Sequence, residues 1–174
     1  MRVVLVAAAA ILALAACKEE AAVAPPDPVP LTEEALSFFC QMNIAEHGGP
    51  KGQIHLEGYP APLFFAQTRD MVAYLKSPER DAKIIGVYVS DMGAAPSWEQ
   101  PGIENWVLAE GAHFVVGAKV AGGMGAQEVV PFKELDDAAN FATQWGGQIM
   151  SLDAIPTEAV LGPIDLDQTL ETPS

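Results

Sequence analysis

Residues 40–56 combine the side chains best suited to bind a soft metal ion. Their sequence is C-Q-M-N-I-A-E-H-G-G-P-K-G-Q-I-H-L, with one thiol, one thioether and two imidazoles. Cys40 and Met42 are two residues apart and would share one face of an extended segment, and His47 follows just before a Gly-Gly-Pro turn. Thiolate and thioether are soft donors that select Cu(I) over hard cations, whereas imidazole suits zinc and copper alike. The segment therefore predicts a Cu(I) site.

A second methionine lies in the glycine-rich sequence A-G-G-M-G at residues 121–125. The glycines allow the backbone around Met124 to approach a ligand closely, although an exposed or gap-filling methionine would show the same pattern. If two parts of the chain face each other across a cleft, Met124 completes a trigonal shell with Cys40 and Met42. His47 stays an open alternative, because a histidine beside a tight turn often hydrogen-bonds the backbone instead.

Other potential functional groups are better explained as structural or solvated residues. His55 alternates with apolar neighbours on a predicted strand, and His113 opens a later strand. The glycine-rich segments lack both the Gly-Lys-Ser/Thr ending and the following helix of a phosphate-binding loop. Carboxylates are spread over predicted helix faces and linkers, so their spacing does not indicate acid or base catalysis.

Residues 1–16 have the features of a bacterial lipoprotein export signal. Arg2 precedes a short apolar run, and Leu-Ala-Ala leads directly into Cys17. A retained transmembrane anchor is the weaker alternative, because the run is short and charged residues follow it at once. We expect removal of residues 1–16, lipidation of Cys17 and a domain outside the cytoplasm.

Charge and cysteine content narrow the range of functions. The chain has 9 basic and 23 acidic side chains, and its net charge of −14 becomes −15 when Arg2 is removed with the signal. Such an acidic protein is not built to bind nucleic acid, and its membrane attachment must come from the lipid on Cys17. That lipid uses one of the two cysteines. Cys40 therefore has no disulfide partner, and we expect it to be buried, metal-bound or catalytic.

The composition divides the chain into four parts. The signal at 1–16 is followed by the lipidated cysteine and a linker rich in proline and alanine at 17–30. Residues 31–161 are long enough for one domain with its own core. Residues 162–174 form an acidic tail that we expect to be disordered.

Hydrophobic periodicity predicts an α+β fold made of two consecutive ββαβ-like units. Helices are predicted at residues 68–76 and 135–145. Strands are predicted at residues 53–58, 61–66, 83–90, 113–120, 126–132 and 148–152. The second helix would bury one face, formed by Leu135, Ala138, Ala139, Ala142 and Trp145. We expect antiparallel sheets with the helices packed on one face.

The residues that carry these predictions also resemble a known family, NosL, the accessory lipoproteins of nitrous oxide reductase. The matching positions are Cys40, Met42, Ile44, His47, Gly49, Pro50, Lys51, Gly52, Gln53, Ile54, Met124, Gly125, Phe132, Ala138, Phe141, Ala142, Gly146 and Gly147. They span nearly the whole predicted domain, and the lipoprotein signal agrees with them.

The resemblance implies a periplasmic copper chaperone that holds Cu(I) and supplies it for the copper-sulfur centre of nitrous oxide reductase. It implies a membrane transporter complex or the apo-reductase as partner, and a fold similar to the ββαβ-type units of organomercurial lyase. Cleavage of a carbon–mercury bond is not expected, because Cys40 is the only free cysteine left. Lys18 stands where aspartate usually marks inner-membrane retention, which favours the outer membrane.

Two other functions fit parts of the sequence. A thiol-dependent periplasmic enzyme could use Cys40 as nucleophile and His47 as base, but it gives Met42 and Met124 no role. A structural lipoprotein that only binds a partner would explain neither the thiol nor the methionines.

Overall fold

A computed structural model describes residues 24–80, 82–165 and 167–173, so the predicted signal, Cys17 and the first part of the linker lie outside the described residues. In chain order, the strands and helices are β1 (Gly52–Leu56), β2 (Leu63–Phe65), α1 (Thr68–Lys76), β3 (Ile84–Ser90), β4 (Trp106–Leu108), β5 (His113–Val116), β6 (Val130–Phe132), α2 (Leu135–Trp145), β7 (Gln148–Met150) and α3 (Thr157–Leu161). Short 3-10 turns occupy Ile44–Glu46 and Leu152–Ala154.

The strands form two antiparallel sheets that share the same order of three strands, and β4 extends the first sheet at one edge. The first sheet runs β2-β1-β3-β4 and the second runs β6-β5-β7. In each sheet the first strand of the unit is central and pairs with the two strands that follow it. Helix α1 packs on the first sheet and α2 on the second. The prediction of an α+β fold with two ββαβ units is confirmed.

Proline and glycine residues end two helices and one strand. Helix α1 stops before Ser77, whose extended conformation precedes Pro78, and α2 stops at Gly146 with φ of +77°. Strand β5 was predicted to continue to residue 120 but ends at Val116, because Gly117 turns the chain with φ of +82°.

The main core is built largely from the first unit and extends to Phe114 and Val129 of the second. Every residue of β1 is buried, and Phe65, Met71 and Val72 are fully enclosed between α1 and the first sheet. In α2 only Ala138 is buried. The face of α2 that packs on the second cluster runs through Ala138, Phe141, Ala142 and Trp145. The predicted buried face is therefore wrong for Leu135, which is 53% exposed, and for Ala139, which is also exposed.

The described part of the linker lies against the first sheet. The side-chain amide of Gln53 bonds to both the N–H and the carbonyl of Val29, at 2.9 and 3.0 Å. The Tyr88 hydroxyl donates to the carbonyl of Pro26 at 2.6 Å, and His55 Nε2 bonds to Gln53 Oε1 at 2.9 Å. Residues 26–29 are therefore docked, which the proline-rich composition did not indicate. His55 has the structural role predicted for it.

The end of the described chain makes one backbone pairing. Within the tail at 162–174, the Glu171 N–H donates to the Lys119 carbonyl and the Ala121 N–H donates to the Glu171 carbonyl. An unpaired backbone edge at 119–121 offers these groups, and Glu171 satisfies them by parallel pairing. In the part of the chain that the structure describes, no helix is long and apolar enough to cross a membrane.

Candidate metal site

Cys40 and Met42 lie on a tight loop that leads into the first 3-10 turn. An antiparallel bridge between Leu36 and Asn43 closes this loop, and the Ser37 N–H donates to the Met42 carbonyl at 2.9 Å. The extended conformation predicted for the segment is wrong. Gln41 has φ of +56°, the only positive φ among the described non-glycine residues, and the chain turns sharply between the two sulfur-bearing residues.

The loop is fixed to the end of strand β2. The Phe38 N–H donates to the Phe64 carbonyl at 2.7 Å, and the Ala66 N–H donates to the buried Ser37 hydroxyl at 3.2 Å. Cys40 is half-buried and packs on a small apolar cluster with Ala66. Met42 is 42% exposed. The loop thus carries a partly exposed thiol and thioether, and its backbone is hydrogen-bonded to the end of β2.

Met124 comes from the second unit but contacts the first. It lies in the connection between β5 and β6, and its N–H donates to Gln67 Oε1 at 3.0 Å. Next to it, the Gly123 carbonyl accepts from His47 Nδ1 at 3.1 Å. The Met124 side chain is 42% exposed. The Met124 loop and the Cys40 loop are therefore anchored to adjacent residues, 64–67, at the end of β2.

His47 has an unusual hydrogen-bonding state. Because a carbonyl can only accept, the bond to Gly123 places the proton on Nδ1 and leaves a lone pair on Nε2 in the neutral ring. Nε2 is buried and has no hydrogen-bond partner among the described residues. His47 thus bonds to the Met124 loop through Nδ1. Its Nε2 keeps a lone pair that could bind a metal ion.

A buried lysine lies between the turn at His47 and Gly48 and the end of β2. Lys51 is 2% exposed, and its ammonium donates to the carbonyls of His47, Gly48 and Ala66 at 2.5, 2.9 and 3.1 Å. Burial lowers the pKa of Lys51 to about 8, while the negative charges of Glu128 and Glu99 act in the opposite direction. Its three bonds join the turn after the Cys40 loop to the end of β2.

Glu128 is a buried acid that interacts electrostatically with Lys51. Its Oε1 accepts from the backbone N–H groups of Arg69 and Val129 at 2.8 and 2.9 Å, and Oε2 has no partner among the described residues. Burial raises the pKa of Glu128 to about 8, partly offset by these two bonds and by Lys51. Glu128 therefore connects the end of the Met124 connection to the start of α1.

Three residues of this region were not singled out by the sequence for the roles they have. Lys51 belongs to the Gly-Pro-Lys-Gly motif, so its motif was recognised but its burial was not. Glu128 stands alone beside an apolar Val-Val-Pro-Phe run, which is a weak sign of a buried acid. Nothing around Gln67 distinguishes it from a surface glutamine.

The donors available are soft ones. Among residues 24–80, 82–165 and 167–173, no group of three or more His, Cys, Asp or Glu side chains is placed to hold a metal ion. What the structure presents is one thiol and two exposed thioethers on two loops with a common anchor. The fold and this region define a two-unit α+β protein that displays sulfur donors at its surface.

Comparison with known proteins agrees with this description. The family model for NosL matches residues 28–160. The chain is 52% identical to the copper-binding lipoprotein NosL of Achromobacter cycloclastes over 95% of this chain and 85% of that protein. It is 32% identical to the copper-binding lipoprotein NosL of Stutzerimonas stutzeri over 74% and 66% of the two chains. The chain belongs to the NosL family.

The fold comparison gives the same result. The crystal structure of the copper chaperone NosL from Shewanella denitrificans superposes with a TM-score of 0.70 at 32% identity, covering 75% of this chain and 97% of that one. These relatives are named as copper-binding proteins and not as enzymes.

Proposed function

We propose that this protein is a lipid-anchored periplasmic carrier of Cu(I), with Cys40 as thiolate ligand and Met42 and Met124 as thioether ligands. The observation that carries the proposal is the common anchor of the two loops, since residues 64–67 bind the Cys40 loop through Phe64 and Ala66 and the Met124 loop through Gln67. A thiolate with two thioethers is a soft set suited to Cu(I). The names of the copper-binding relatives support the choice of metal.

The exposure of the donors suits delivery better than storage. Met42 and Met124 are each 42% exposed and Cys40 is half-buried, so an acceptor ligand can approach a bound ion from the solvent side. Three protein donors leave a position for that ligand, whereas a closed tetrahedral site would retain the metal. His47 is the reserve ligand, because its buried Nε2 has no hydrogen-bond partner in the described part of the chain.

The proposed acceptor is the machinery that assembles the copper-sulfur centre of nitrous oxide reductase, either a membrane transporter complex or the apo-reductase. Lipidation of Cys17 would hold the carrier at a membrane, and Lys18 favours the outer membrane. The net charge of −14 supports attachment by lipid and excludes nucleic acid as a partner.

The thiol-enzyme alternative receives no support from the geometry. Its general base would be His47, but Nδ1 donates to Gly123 and Nε2 has no partner among the described residues, so His47 makes no hydrogen bond to Cys40.

The test is anaerobic titration of the reduced, signal-less chain with Cu(I) against a chromophoric chelator. Wild type should bind one tight equivalent, Cys40→Ser should lose it, and Met42→Ala and Met124→Ala should each weaken it by on the order of tenfold. Met92→Ala is the control, since Met92 lies in the loop between β3 and β4, packs against the second core cluster and is not a proposed ligand. Tight binding that survives Cys40→Ser would overturn the assignment.

A further inference from the structure

Gln67 is a buried polar residue whose side chain does not cap its own helix. It is 2% exposed and occupies the N-cap position of α1, where Ser, Thr, Asp or Asn normally bonds to the first backbone N–H groups. Gln67 makes no such capping bond. Its side chain instead reaches the Met124 loop, and a Cβ placed on Gly122 would lie only 2.5 Å from Gln67 Oε1.

The bond from Met124 to Gln67 acts on one particular peptide group. The Met124 N–H and the Gly123 carbonyl belong to the same peptide plane, and that plane is held on both sides, by Gln67 Oε1 at 3.0 Å and by His47 Nδ1 at 3.1 Å. Because a peptide group is rigid and planar, two bonds to its opposite ends fix its orientation. They thereby restrict the position of the Met124 Cα, to which the side chain is attached.

Asp70 determines which way the Gln67 amide points. Gln67 Nε2 donates to Asp70 Oδ2 at 3.2 Å, and a carboxylate can only accept from an amide nitrogen. This bond places Nε2 towards Asp70 and Oε1 towards Met124. The Met124 N–H therefore has a fixed acceptor, supplied by the first unit for a loop of the second.

We propose that Gln67 is a positioning residue for Met124, which holds the thioether where it completes the Cu(I) site. This inference rests on the proposed function, because it takes Met124 as a ligand. Without the Gln67 bond, the Met124 peptide is held on one side only, and the loop spends part of its time with the thioether away from the copper. The loss of one hydrogen bond of this kind corresponds to about a three- to tenfold loss of affinity.

The experiment combines Gln67→Leu with Met124→Ala in a double-mutant cycle of Cu(I) affinity, measured by chelator competition on the reduced, signal-less chain. The matched control is Gln127→Leu, which removes another glutamine bond of the same connection, from Gln127 Nε2 to the Ala118 carbonyl at 2.8 Å. The rescue variant is Gln67→Glu with Asp70→Asn. This pair exchanges donor and acceptor and keeps both hydrogen bonds.

We expect Gln67→Leu to weaken Cu(I) binding three- to tenfold in the wild-type background and to have no further effect once Met124 is alanine. Gln127→Leu should bind as wild type does. Gln67→Glu alone should weaken binding, and adding Asp70→Asn should restore it, so the proposal stays testable even if Gln67→Leu does not fold. Copper X-ray absorption should show fewer sulfur neighbours in Gln67→Leu than in wild type.

Three results would overturn the positioning role. The first is wild-type affinity in Gln67→Leu while Met124→Ala is weakened. The second is an equal loss from Gln67→Leu with and without Met124, which would mark a general structural effect. The third is wild-type affinity in Met124→Ala, which would remove Met124 from the ligand set and so overturn the underlying site as well. The first two leave the proposed function intact, which separates the two failures.

Discussion

The two ββαβ units share a strand order but differ in the connection between their first two strands. In the first unit, residues 57–62 join β1 to β2, whereas in the second, residues 117–129 join β5 to β6. The longer connection leaves its own sheet and reaches the first unit, where Met124 bonds to Gln67 and Glu128 bonds to Arg69. The two units thus share a framework, and the enlarged connection brings one proposed ligand, Met124, to the first unit.

The units also differ in burial. In the first unit, the ring of Phe65 packs with Phe38, Phe39 and Tyr74, two of which belong to the Cys40 loop. In the second, Phe132 occupies the corresponding end of β6 and contacts Phe141 of α2, with no proposed ligand nearby. The same aromatic position therefore packs against the Cys40 loop in one unit and only against a helix in the other.

The largest expected effect comes from removing these two rings in turn. Phe65→Ala and Phe132→Ala should each cost about 3–5 kcal/mol of unfolding free energy, because both side chains are buried. At temperatures where both variants remain folded, Phe65→Ala should also weaken Cu(I) binding, since the Cys40 loop rests on Phe65, whereas Phe132→Ala should not. Denaturant unfolding and chelator competition measure the two effects. Equal copper affinity in both variants would contradict the division of roles.

Lys51→Met tests whether the buried lysine stabilises the link between the turn at His47 and Gly48 and the end of β2. The change leaves the carbonyls of His47, Gly48 and Ala66 without their donor, which should cost about 2–4 kcal/mol of unfolding free energy. Lys133→Met is the control, because its side chain is 64% exposed and should contribute less than about 0.5 kcal/mol. Similar unfolding midpoints for the two variants would show that Lys51 is not a structural support.

Glu128→Gln has an effect that depends on pH. Burial raises the pKa of Glu128 from an ordinary value of 4.5 to about 8. Between these values the folded protein binds more protons than the unfolded chain, so the free energy of unfolding falls as pH rises. Glutamine does not titrate. The variant should therefore match wild type near pH 5 and exceed it near pH 8 by on the order of 1–3 kcal/mol.

Denaturant unfolding at pH 5, 6.5 and 8 measures this difference. The control is Glu134→Gln, whose side chain is 67% exposed and should leave the pH dependence unchanged. A Glu128→Gln variant that is less stable than wild type at pH 8 would show that the carboxylate is charged and paired in the folded protein.

Local patterns were sufficient to predict most of the framework. The helices over 68–76 and 135–145 follow from a 3.6-residue apolar period with clear stop signals, and both have the predicted bounds. Strand ends were predicted less well. Gly117 turns the chain with a positive φ, and the Glu128 carboxylate bonds to the Val129 N–H, and neither effect is visible in the alternation of apolar residues.

Long-range contacts could not be predicted in the same way. The docking of Val29 on Gln53, the pairing of Glu171 with residues 119–121 and the bond from Gln67 to Met124 each join residues more than 20 positions apart. Donor types alone were enough to identify Cys40, Met42 and Met124 as candidates, because sulfur ligands are rare. Their support by Lys51, Gln67 and Glu128 depends on burial, which no short pattern encodes.

The most direct test of the central claim, that one copper ion is held between the two units, is copper-edge X-ray absorption of the Cu(I)-loaded chain. Wild type and Met124→Ala should be measured side by side under reducing, anaerobic conditions. A site built from Cys40, Met42 and Met124 predicts three sulfur neighbours in wild type and two in the variant. The same sulfur count in both proteins would contradict the claim, because the second unit would then contribute no ligand.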